Sequence, residues 1–134
     1  MPKSEGVRNP VSELEGKLAL KLAQQLLHEV DKIDKDSLKT AVKYTLQQLH
    51  KTAPGKSVEL RVPPIAAISI IEGKNHKRGT PPAVIEVDPI AWLKLALGNL
   101  TWEQSINQGL VFASGANADL SPYLPISQNL LNEN

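Results

Sequence analysis

The spacing of apolar positions changes twice along the chain, from helical to alternating and back. Leu14, Leu18, Leu22, Leu26 and Val30 recur at every fourth residue, behind Ser12-Glu13-Leu14-Glu15, an S-x-x-E capping box. This spacing predicts an amphipathic helix. Leu20 and Leu27 widen its apolar side, which faces either the domain's own core or a partner chain. A polar break from Asp31 to Asp36 precedes a second helix, with a stripe at Leu38, Val42, Leu46 and Leu49 and a stop at Ala53-Pro54-Gly55. From Ser57 the period becomes two. Val58, Leu60 and Val62 alternate with Ser57, Glu59 and Arg61, as in a strand with one face on a core and the other in water. Pro63-Pro64 interrupts the pairing and marks a bulge, a bend or an edge position. Ile65 to Ile71 is too continuously apolar for a wet face, which places it in the interior of the sheet. A charged loop from Gly73 to Pro82 leads to another strand, Ala83 to Val87.

The C-terminal third is dense in boundary signals. Asp88-Pro89 is an N-cap followed by proline at the first helical position, and Gly98 closes the apolar run Ile90 to Leu97. Thr101 to Gln104 forms a T-x-x-Q capping box opening a second short helix, which carries Trp102 and Ile106 and stops at Gly109. Leu110 to Ser114 favours a strand ending at Gly115. Asn117 or Ser121 then caps a last helix carrying Leu120, Tyr123 and Leu124. Residues 1–10 are expected to form a mobile tip, 11–126 a single domain, and 127–134 a C-terminal tail.

Composition narrows the partners more than the fold. A chain of 134 residues buries roughly 65–70 % of its unfolded surface, enough for one core. The formal net charge of +1 gives no electrostatic reason to expect nucleic acid, and 4% aromatic residues leave few stacking platforms for single strands. There is no cysteine, which removes disulfides, thiol catalysis and thiolate metal sites. No uncharged apolar run approaches the ~20 residues of a membrane span, so stable membrane insertion is not expected and a cytoplasmic location is.

From Asp88 onward the pattern D-P-x-x-W-L-x-L-A-x-G-x-L-x-W, then G-L-V-F-A-S-G and A-D-L-x-x-x-L-P, resembles the sterol carrier protein 2 (SCP2-like) family. The preceding R-V-P-P (Arg61 to Pro64), E-G (Glu72-Gly73) and H-x-R-G-T-P-P (His76 to Pro82) resemble its small stand-alone actinobacterial branch. The resemblance implies an α+β domain: a twisted, largely antiparallel sheet of about five strands covered on one face by helices, with an apolar cavity between the layers. It further implies non-catalytic carriage of a lipid or other apolar small molecule, with no cofactor. The alternative it leaves open is an accessory or scaffold domain that binds a protein partner, related to the accessory domain of mycothiol-dependent maleylpyruvate isomerase-like enzymes.

The candidate residues follow from that implied cavity. Trp92, Trp102 and Phe112 offer flat apolar area to a ligand or serve simply as core. Ile68, Ile70, Leu95, Leu120 and Leu124 are the aliphatic candidates for the lining. His76 and Arg78 in the basic loop, with Glu86 as a carboxylate partner for the arginine, are candidates for contact with an anionic head group. His28 and His50 lack metal-ligand spacing and read as solvated helix residues. No G-x-S-x-G, carboxylate pair or phosphate-cradling glycine loop is present, so the reading is a protein without catalytic residues.

Overall fold

In a computed structural model, which describes residues 6–73 and 81–126, the element order is α1 (Glu13–Leu26), α2 (Lys35–Thr52), β1 (Val58–Val62), β2 (Ala66–Ile70), β3 (Ala83–Val87), α3 (Pro89–Leu97), α4 (Trp102–Asn107) and β4 (Val111–Ser114). Single 3-10 turns at Val30–Lys32 and Ser121–Tyr123 complete it. The fold is α+β. Among the described residues the sheet has four strands in the order β2-β1-β3-β4, where about five were expected; it is mixed, with two of its three pairings antiparallel. β1 pairs antiparallel with β2 and parallel with β3, while β3 pairs antiparallel with β4. The parallel pair has a simple cause. β2 carries the chain back along β1, so Ile70 and Ala83 both stand beside Val58, and β3 then enters on the other side in β1's own direction. Ser57 fastens that return. Its N–H and Oγ–H both donate to the Ile71 carbonyl, at 2.9 and 2.6 Å, and its own carbonyl accepts from Ala83 N–H at 2.9 Å.

Alternation decides which sheet face is buried. Val58, Leu60 and Val62 of β1, Ile68 and Ile70 of β2, and Ala83, Ile85 and Val87 of β3 enter the core. Glu59, Arg61, Ala67, Ser69 and Glu86 occupy the other face. Among the described residues β2 is an edge strand, against the expectation of an interior one. Its outer positions, Ala67 and Ser69, are small, so a half-wet strand reads as an apolar run. Pro63-Pro64 sits in the β1–β2 turn, which Ile65 N–H closes onto the Val62 carbonyl at 2.9 Å.

The first three leucines of the α1 stripe point away from the core, and Leu26 packs against it. Gly16, Ala19, Leu20 and Ala23 are buried, whereas Leu14 and Leu18 are 70% and 60% exposed and Leu22 37%. On a helical wheel the two sets lie on opposite sides. Small residues let α1 approach α2 closely, and the ring of Tyr44 fills the place that a side chain at position 16 would take. Leu20→Ala is accordingly expected to cost about 2–5 kcal/mol and Leu18→Gln less than about 0.5 kcal/mol in urea unfolding. Equal costs would contradict this orientation.

α2 is capped by Asp34, whose carboxylate accepts from Ser37 N–H at 3.0 Å. Hydrogen bonds from the Ser37 side chain and backbone hold that carboxyl below its ordinary range. Residues 7–11 make contacts with the rest of the fold. Val7 is buried, Lys43 Nζ donates to the Asn9 carbonyl, and the Gln47 amide both accepts from Val11 N–H and donates to the Val11 carbonyl. The last helix expected from the sequence is the single 3-10 turn at Ser121–Tyr123.

Candidate functional site

α3 ends where its local sequence dictates. Gly98 takes φ 85, its N–H faces the Leu95 carbonyl, and Asn99 N–H donates to the Lys94 carbonyl at 2.8 Å, the bonding pattern of a Schellman stop. The reversal sends Leu100 into the core and presents Thr101 as the next N-cap. Both bonds of the capping box form: Gln104 N–H to Thr101 Oγ1 at 3.0 Å and Thr101 N–H to Gln104 Oε1 at 2.8 Å. The C-terminal segment then returns over the same corner. Ile126 N–H donates to the Ala96 carbonyl at 2.8 Å, placing Pro125 beside Gly98.

These three pieces enclose a cleft of about 460 Å³, within the usual range of small-molecule sites. Its floor is Leu95 and Leu100 beside the Gly98 turn. One wall is Thr101, Trp102 and Glu103 at the start of α4; the other is Asp119, Ser121, Leu124 and Pro125. Five of the side chains are apolar, and the polar ones stand on the two walls.

The candidate residues separate into groups. Leu95, Trp102 and Leu124 come together in the cleft. Ile68, Ile70, Trp92 and Leu120 are buried in the main core instead. Trp92 is held there by a 2.8 Å hydrogen bond from its Nε1–H to Thr45 Oγ1 on α2. Phe112 lies on the outer face of the sheet, 63% exposed, in register with Glu86 and so away from any cavity under the helices. The cleft lining contains no strand residue, so this site is beside the C-terminal helices rather than between sheet and helices. His76 and Arg78 fall outside the described residues. Glu86 is exposed on β3 directly across from Arg61, and its charge helps, after that of Glu59, to raise the Arg61 pKa.

Sequence reasoning missed Leu100, Thr101, Glu103, Asp119, Ser121 and Pro125 as lining residues. Asp119, Ser121 and Pro125 depend on the return of the chain to Gly98, which is a non-local event. Among the described residues no three His, Asp or Glu side chains gather as a metal site, and no helix is long and apolar enough to cross a membrane.

No curated protein matches the chain. A family model does: the one described as bacterial SCP ortholog aligns with residues 34–126, from the N-cap of α2 to the residue that closes the C-terminal return. That match spans well over half of the sequence and includes every strand and the whole cleft, and the chain belongs to the bacterial SCP family within the SCP2-like group.

Proposed function

We propose that this protein binds and carries an apolar or amphipathic small molecule without altering it chemically, the tail lying in the cleft floored by Leu95 and Leu100. One observation carries the reading: a cleft of about 460 Å³, predominantly apolar on its floor and bearing an aromatic side chain on one wall, in a chain of the SCP family. Binding would draw on desolvation, about 0.8 kcal/mol for each methylene removed from water, with Thr101 and Ser121 offering hydroxyls to a polar end. A carrier needs affinity without reaction, and an apolar floor beneath an acyl chain supplies it.

Calorimetric titration of the full chain with dodecanol, a neutral single-chain ligand, tests the site. Saturable binding is expected, weakened about tenfold by Trp102→Ala, since the half-buried indole supplies much of one wall's apolar area. Binding that Trp102→Ala and Leu124→Ala both leave intact would place the ligand elsewhere. The protein-binding alternative draws on a different observation, the exposed stripe Leu14, Leu18 and Leu22 on the far side of α1.

A further inference from the structure

The volume of the cleft limits what can lie in it. At the ~30 Å³ that a water-sized group takes up in a liquid, about 460 Å³ holds roughly fifteen groups of that size, and a methylene is such a group. The lining ends at Leu95 and Leu100. None of the fully buried sheet residues Leu60, Ile70 and Ile85 belongs to it, so the space stops short of the sheet and gains no length there. Of the two floor leucines, Leu95 has no exposed surface and Leu100 retains 9%, which makes Leu100 the one whose bulk a chain meets. A sterol carries roughly 28 non-hydrogen atoms in a rigid frame, far more than the space takes, and a diacyl lipid carries more again.

We infer that the cleft accepts one unbranched chain of up to about fifteen carbons, excludes sterols, and has its limit set by Leu100. The inference rests on the carrier reading above and adds to it the shape and length of the ligand. Each methylene that enters the cleft leaves water and tightens binding roughly two- to fourfold, whereas each one beyond the filled length stays in water and adds nothing. Affinity plotted against chain length therefore rises and then breaks.

The test titrates the full chain with n-alkylphosphocholines from octyl to octadecyl, each below its micelle concentration, read by tryptophan fluorescence. The head group is constant and carries no net charge, so only the tail varies. Affinity is expected to rise to a break between about fourteen and sixteen carbons. Leu100→Phe enlarges the floor side chain by about three carbons and should shorten the accepted chain by about as many, while Leu100→Ala should lengthen it by about three. Filling open space asks less of the fold than emptying a packed position, so Leu100→Phe decides the matter if Leu100→Ala unfolds early. Dehydroergosterol offered from methyl-β-cyclodextrin should not transfer to the protein. Affinity that climbs without a break to octadecyl, a break that neither Leu100 variant moves, or uptake of the sterol would each overturn the inference while leaving the carrier reading intact. Failure of every chain length to bind removes the carrier reading itself.

Discussion

Trp92→Ala is expected to lower the free energy of unfolding by about 3–5 kcal/mol. That is a large part of the ~5–15 kcal/mol available to a domain of this kind. The indole is fully buried and is the largest side chain in the core. It also ties α3 to α2 through a side-chain hydrogen bond from its Nε1–H to Thr45 Oγ1. The threonine hydroxyl completes the arrangement by directing its own proton to the Ala41 or Val42 carbonyl, at 3.0 and 2.8 Å, which leaves a lone pair facing the indole. Thr45→Val, nearly the same shape, should therefore cost about 1–3 kcal/mol by stranding a buried N–H. In a Trp92→Phe background the same change should cost less, because no donor remains to be stranded. Urea unfolding of the unchanged protein and these four variants measures both effects. A Trp92→Ala cost near 1 kcal/mol would show that α3 does not depend on this anchor.

The second large effect has a sign that helix propensity gets wrong. Alanine is favoured over glycine by about 1 kcal/mol in a helix interior, so Gly16→Ala would stabilise α1 if nothing stood opposite it. Tyr44 does stand there. A Cβ at position 16 would overlap its Cβ, Cγ and Cδ1, and because the tyrosine is fully buried its ring has no open side to retreat into. Separating α1 from α2 to relieve the overlap opens the core along Ala19, Leu20 and Ala23. The net expectation is a loss of about 1–3 kcal/mol. In a Tyr44→Ala background Gly16→Ala should be neutral or stabilising, and that reversal of sign is the diagnostic result. Stabilisation by Gly16→Ala in the otherwise unchanged protein would mean that the two helices stand farther apart.

Gly16 also explains where the sequence misleads. Leucines at every fourth residue read as a buried stripe, and Gly16, Ala19 and Ala23 contribute little to such a reading. Close helix packing reverses the priority, because it selects small residues at the contact and leaves Leu14 and Leu18 outside. The same limitation hides the edge position of β2, where Ala67 and Ser69 are too small to register as a wet face. The capping signals around α3 and α4 were legible. Asp88-Pro89, Gly98 and the Thr101–Gln104 box fix α3 and the start of α4 because cap chemistry needs no distant partner. Of the site, Leu95, Trp102 and Leu124 could be proposed from their apolar character. Their gathering into one cleft, together with Glu103 and Asp119, depends on Ile126 reaching Ala96 across the fold. Periodicity has no access to that contact, and it could not separate the buried Trp92 from the half-buried Trp102 or place Phe112 on the outer face.

The two tryptophans provide the most direct measurement of whether the cleft holds an apolar chain. Trp92 lies in the core behind α2, and Trp102 forms a wall of the cleft. In Trp92→Phe the emission comes from Trp102 alone. Titration of that variant with a terminally brominated dodecanol, whose heavy atom quenches an indole in contact with it, should give saturable quenching with one ligand per chain, and unbrominated dodecanol should reverse it by competition. A folded Trp92→Phe protein whose emission shows no saturable, competable quenching would contradict the assignment of this cleft as the carrier site.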